Sequence, residues 1–239
     1  MSLPQGYYDL LERLERPGCA VCSLLLEVSN RFIESLLYEF SLDPGTQRAF
    51  RAGRGLCNHH SWQLAGQHGY SLGVAALFEA ALDEVLDILQ TTPEETLTGR
   101  FSRPFGGDAR SPVAERLEPE GPCIVCANVE HAEQTYVRTF ARHWHRADLQ
   151  RAYRGSSGLC LPHFRDALRQ VETREARREL VAIQIEKWSA LRRELNQFQI
   201  KSAYNYVGEP IGAEADSWRR AVASMTGLQN ATAALTRPE

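Results

Sequence analysis

Cys19-Ala20-Val21-Cys22, followed by Cys57-Asn58-His59-His60, recurs in the same chain as Cys123-Ile124-Val125-Cys126 followed by Cys160-Leu161-Pro162-His163. The stretches between paired elements are 34 and 33 residues long, and the pattern takes up all 6 cysteines of the chain. Two side chains three positions apart in a tight knuckle turn toward one point. Two such elements complete a tetrahedron, and three sulfurs with one imidazole suit a closed structural zinc site. Read in chain order, Cys19, Cys22, Cys57 and His60 form the first site, and Cys123, Cys126, Cys160 and His163 the second.

The flanks repeat too. Gly55-Leu56-Cys57 becomes Gly158-Leu159-Cys160, and Val21 precedes Cys22 as Val125 precedes Cys126. Comparing the copies selects one histidine of the first: Pro162 stands where His59 does, whereas His163 matches His60. His60 is therefore the expected ligand and His59 a neighbour supporting it. Three thiolates and an imidazole around a divalent ion leave one negative charge, which Arg16, Arg54 and Arg154 are placed to offset. A dithiol redox pair leaves the matched Cys-x-x-His elements unexplained. A c-type haem needs histidine directly after the second cysteine, where Ser23 and Ala127 stand. An iron–sulfur cluster stays open as the alternative cofactor, since the same donors hold one.

Outward from the ligands, apolar residues recur at steps of three and four. Leu24, Leu25, Phe32, Ile33, Leu36, Leu37 and Phe40 predict a helix over 23–40, broken by Asp43-Pro44-Gly45. Val129, Ala132, Tyr136, Val137, Phe140 and Trp144 predict its counterpart. Helices are predicted over 73–90 and 174–200, whose near-heptad stripes are expected to pack on each other or on the ligand-bearing helices. In the second of these, arginines alternating with Glu175, Glu179 and Glu194 point to pairing within the helix. Asp216 is expected to cap a short helix closed by Gly227.

The predicted fold is all-α with pseudo-twofold symmetry: duplicated helical hairpins, each stapled by a Cys₃His site. Residues 1–90 form the first metal-binding repeat and 122–200 the second. Residues 91–121, rich in Pro, Gly and Ser, read as a linker or mobile loop. Residues 201–239 form a C-terminal turn and short helix, with the last dozen residues frayed.

The net charge of −3 carries no strong signal for nucleic acid. No apolar run reaches the roughly 20 residues that cross a bilayer. No secretory signal is read at the N-terminus, and paired thiols suit the reducing cytoplasm. No phosphate loop, nucleophile elbow or persuasive acid pair appears, so no catalytic residue is assigned and a non-enzymatic role is favoured. His131, His143 and His145 read as surface or part-buried histidines.

With these motifs in place, the chain resembles an uncharacterised bacterial family built on duplicated Cys-x-x-Cys … Gly-[Leu/Phe]-Cys-x-x-His. The similarity extends into Lys201-Ser202-Ala203-Tyr204-Asn205-Tyr206 … Gly208-Glu209-Pro210 and Asp216-Ser217-Trp218-Arg219-Arg220-Ala221. It implies a helical metal-binding protein with no established activity. Together the residues and the resemblance point to a scaffold with two zinc ions that partners another protein or itself, in a regulatory assembly. The alternative is an iron–sulfur redox or sensor protein.

Overall fold

The computed structural model describes residues 3–39, 43–92 and 111–231, and every regular element among them is helical. The expected linker over 91–121 lies in part, at 93–110, outside the described residues, as does most of the expected frayed end, at 232–239. In chain order the helices are α1 Gln5–Leu14, α2 Ala20–Tyr38, α3 Pro44–Ala52, α4 Asn58–Ala65, α5 Ser71–Thr91 and α6 Pro112–Leu117. There follow α7 Ile124–Arg142, α8 Ala147–Gly155, α9 Leu161–Gln170, α10 Arg174–Lys201 and α11 Ser217–Thr226. No helix among them is long and apolar enough to cross a membrane.

Local chemistry sets several of these starts. Asp43-Pro44-Gly45 begins α3: the Asp43 carboxylate accepts from the Thr46 N–H at 2.8 Å, with Pro44 in the first helical turn. Proline loses nothing there, because the first N–H groups of a helix have no internal partner. Thr173 caps α10 in the same way through the Ala176 N–H, at 3.1 Å. Asp216 stands at the start of α11, but its carboxylate accepts from Arg220 Nε at 2.7 Å rather than capping the helix. Gly227, at φ 91°, closes α11 as expected.

The chain divides into two compact units, residues 1–29 with 129–239, and residues 30–128, so the boundaries fall inside α2 and α7. In the first unit the core gathers Tyr7, Leu10, Leu25, Phe140, Trp144, Leu149, Tyr153, Leu180 and Ile183, all buried. Phe140, Trp144 and Tyr153 meet pairwise with ring centroids 5.3–5.4 Å apart. Tyr7 ties α1 to α8: its hydroxyl donates to Asp148 at 2.7 Å and accepts from Arg146 Nε at 2.9 Å. That hydrogen bond, with the Arg146 charge, holds the Asp148 carboxyl down at about 2.

In the second unit α5 packs on α3, α4 and α6. Phe50 and Phe78 meet edge to face at 5.2 Å, over buried Leu64, Leu77, Ala81 and Ile88. The α10 stripe packs against α11, and Trp188 meets Phe164 of α9 at 5.4 Å. Both stripes thus engage helices that carry ligand histidines, α4 and α9. The α10 acids differ from expectation. Glu179 accepts from Arg154 of α8 at 2.8 Å, and Glu194 pairs with Arg220 of α11, so they join helices instead of pairing along one.

Candidate metal centres

Each of the four motifs is built the same way. Cys19, Cys57, Cys123 and Cys160 directly precede α2, α4, α7 and α9. Their carbonyls accept the first helical hydrogen bonds, from Ser23, Ser61, Ala127 and Phe164, at 2.8–3.0 Å. The second ligand of each motif, Cys22, His60, Cys126 or His163, lies three residues on, inside the first turn and on the same face. All eight donors therefore sit at helix N-termini, where free N–H groups and the helix dipole favour thiolate over thiol.

The eight side chains gather into two groups, but not by chain order. Cys19 and Cys22 meet Cys160 and His163, whereas Cys57 and His60 meet Cys123 and Cys126. Each Cys-x-x-Cys joins the Cys-x-x-His of the other copy, which corrects the pairing read from the sequence. Each Cys-x-x-Cys opens a long helix, and each Cys-x-x-His follows a short one. From Cys22 to Tyr38 α2 carries the chain about 24 Å, and the 9 residues of α3 span only about 13 Å. The same lengths recur in α7 and α8.

Within each group all donor atoms lie within 4.8 Å of one another. His163 Nδ1 is 3.4 Å from Cys19 Sγ, 3.4 Å from Cys22 Sγ and 3.1 Å from Cys160 Sγ, and the Cys22 and Cys160 sulfurs are 3.7 Å apart. His60 Nδ1 is 3.2 Å from Cys57 Sγ, 3.3 Å from Cys126 Sγ and 3.6 Å from Cys123 Sγ, with Cys57 and Cys126 3.6 Å apart.

Protonation shows what this crowding does without a cation. Burial alone would raise the Cys19 thiol, but hydrogen bonds from Cys160, Cys22 and His163 hold it well below its ordinary range. Cys22 is pushed up by hydrogen bonding to Cys160 and Cys19, by burial and by their charges. Cys123 and Cys126 split the same way, the first lowered and the second raised, chiefly by burial and the Cys123 charge. One thiolate suppresses its neighbour. A divalent cation at the centre removes that repulsion and admits all three thiolates, so the donor set fits a soft metal ion.

The groups are not equivalent. Cys19, Cys22, Cys160 and His163 are all buried, whereas Cys57, Cys123 and Cys126 are only partly so. His163 Nε2 donates to Glu133 at 2.8 Å, which turns Nδ1 toward the sulfurs. His60 Nε2 is buried without a hydrogen-bond partner, and the His59 ring packs beside it with centroids 4.8 Å apart. Glu133 lies seven residues beyond Cys126, where the other copy has Ser29 beyond Cys22. Replacing Glu133 with alanine is expected to weaken metal binding at the buried group by about ten- to a hundredfold and leave the other unchanged. Competition with a chromophoric chelator measures both.

The arginines expected to offset charge each have a carboxylate partner. Arg16 pairs with Glu12 at 2.7 Å, and Arg154 with Glu179. Arg54 joins the two loops of its group: it donates to the Arg116 carbonyl at 2.8 Å and to Glu120 at 3.0 Å, just ahead of Cys123. The Glu120 N–H returns to the Ala52 carbonyl at 2.8 Å. At the buried group the Gly18 N–H donates to Ser157 Oγ at 3.1 Å, linking the loop before Cys19 to that before Cys160.

Leu159, beside Cys160, is gripped on both sides. Its N–H donates to the Tyr153 hydroxyl at 3.3 Å, and its carbonyl accepts from Gln184 Nε2 at 3.2 Å. Gln184 is buried and also accepts from the Tyr153 hydroxyl. Gly158 turns the chain into this grip at φ 86°, and a Cβ there would meet Gln184 and Lys187 at 2.8 Å. At Gly55 the equivalent φ is 93°, with Phe78 at 3.4 Å and Phe50 at 3.8 Å, both ordinary contacts. Gly158→Ala is therefore expected to cost about 2–4 kcal/mol, left-handed strain plus overpacking, and Gly55→Ala about 1–2 kcal/mol. Denaturant melts of the two variants compare them.

A cleft of about 490 Å³ opens beside the buried group, lined in part by Cys19, Cys160, Trp188, Leu191, Arg219 and Leu228. His131, His143 and His145 join neither ligand group.

An all-helical protein with two Cys₃His groups, each assembled from both halves of its chain, is the class these features define. The chain belongs to a family of unknown function (DUF6062), which it matches over residues 10–232. No curated protein and no solved structure matches it.

Proposed function

We propose that the protein is a non-catalytic helical scaffold in which each Cys₃His group holds one structural zinc ion, and whose surface serves interaction with another protein. We read the exchanged ligand pairs as the product of a duplicated helical unit. The observation that carries the zinc reading is the compactness of each group. Zinc at about 2.3 Å from sulfur and about 2.0 Å from nitrogen sets donor separations of about 3.5–3.8 Å. Four of the six donor separations in each group lie at or just below that range, from 3.1 to 3.7 Å, and all lie within 4.8 Å. Four protein donors leave no open position for substrate or water, which supports a structural role over a hydrolytic one.

Iron–sulfur clusters are the second reading, supported by the donor set itself. A cluster spreads its ligands over several irons, so its cysteines stand further apart than ligands of one ion, and the compact groups favour zinc. Metal analysis and a visible spectrum of protein purified without oxygen test the choice. Two zinc ions per chain in a colourless sample is the expected result. Iron with acid-labile sulfide and broad visible absorption would replace zinc with a cluster and scaffold with redox chemistry.

A further inference from the structure

α5 has two apolar faces, and the core uses one. Leu77, Ala81 and Ile88 are buried against the rest of their unit. At about 3.6 residues per turn, Leu72, Ala75, Leu82, Leu86 and Leu89 fall on the opposite side. There Leu82 is 60% exposed, Leu86 and Leu89 are each 49% exposed, and Leu72 is 84% exposed. With Glu79 these positions step 3-4-3-4-3 along the helix, the a/d spacing of a coiled-coil seam. A helix facing only water carries polar residues on that side.

The charge beside the seam says what covers it. Glu79 and Asp83 are exposed within or along it, Asp87 is exposed near its far end, and α5 contains no Lys or Arg. Arg116 of α6 is committed to Thr92, just past the C-terminal end of α5, at 2.6 Å. Pairing with a second α5 would set these acids against their own copies, and an anionic membrane would be repelled in the same way.

We infer that the outer face of α5 docks an amphipathic helix of a partner protein, one with apolar residues at heptad spacing and Lys or Arg along its edges. Apolar contacts along Leu82, Leu86 and Leu89 supply the affinity, and Glu79, Asp83 and Asp87 select a basic partner and fix its register. The assignment names the partner class of the proposed scaffold and rests on that reading.

The probe is a three-heptad peptide with Leu at a and d and Lys at e and g, against its counterpart with Glu at e and g. Fluorescence anisotropy with the full metal-loaded chain is expected to show the Lys peptide binding at least about tenfold tighter, and more weakly as salt rises. Leu82→Ser with Leu86→Ser is expected to weaken that binding about tenfold or more, with metal content and helicity unchanged because both residues face outward. Glu79→Gln with Asp83→Asn and Asp87→Asn is expected to erase the preference between the peptides. Equal binding of both peptides, or undiminished binding by the leucine variant, overturns the inference. So does dimerisation of the wild-type chain that the leucine variant abolishes, since it gives the seam to a second copy. A chain that holds no zinc yet discriminates the peptides would sink the metal reading and leave the surface standing.

Discussion

Replacing Cys22 together with Cys160 is expected to remove one metal ion per chain, whereas replacing Cys22 together with Cys57 is expected to remove both. Serine at each position keeps the volume and deletes the thiolate. Cys22 and Cys160 are 3.7 Å apart in one group, so their double variant spoils one site and leaves Cys57, His60, Cys123 and Cys126 intact. Cys22 and Cys57 belong to different groups, and losing one sulfur from each leaves two incomplete tetrahedra. Pairing by chain order predicts the reverse. The effect is large because a structural zinc site contributes about 10 kcal/mol of folding free energy, comparable with the roughly 5–15 kcal/mol stability of a whole domain. Metal content of the purified variants reads the outcome, and one ion retained by the Cys22/Cys57 variant would restore the chain-order pairing.

The ligands themselves were legible because cysteine is scarce here and every one falls in a repeated spacing. Choosing His60 needed only the second copy, whose Pro162 cannot ligate. Pairing was not legible: a helix predicted over 23–40 carries the chain away from Cys22. What the pattern leaves open is where the chain goes next. Asp43-Pro44-Gly45 reads equally as a break and as the cap of another helix, and only the fold shows that α3 begins there. The supporting residues were hidden for a different reason. Glu133 does not differ in local pattern from Glu130, and Gln184 lies in an apolar stripe as any helix-surface glutamine might. Their roles come from contacts 30 and 25 residues away in sequence, with His163 and Leu159. Arg54 likewise reads as a counter-charge for sulfur, and its tie to the end of α6, 62 residues away, does not show in the sequence. Residue type and spacing identify donors; long-range geometry decides which of them meet and what holds them.

Stripping the metals is expected to unfold the protein in two steps, residues 30–128 first. Cys57, Cys123 and Cys126 are partly exposed, so a chelator reaches their ion without prior opening of the chain. The other four donors are buried, and His163 is locked by Glu133 as well, so their ion leaves only after local unfolding. Each step removes about 10 kcal/mol of apparent stabilisation, enough to leave its unit without a stable fold. The released donors add to the loss, since crowded thiols deprived of a cation must reprotonate or move apart. Metal release followed with a chromophoric chelator is expected to be biphasic. Hydrogen exchange on the same samples is expected to lose protection in α3, α4 and α5 during the first phase, and in α8, α9 and α10 during the second. Acid speeds both phases, because protons compete with the metal for thiolate and imidazole. A single phase with protection lost throughout would mean that burial does not separate the sites and that the two units stand or fall together.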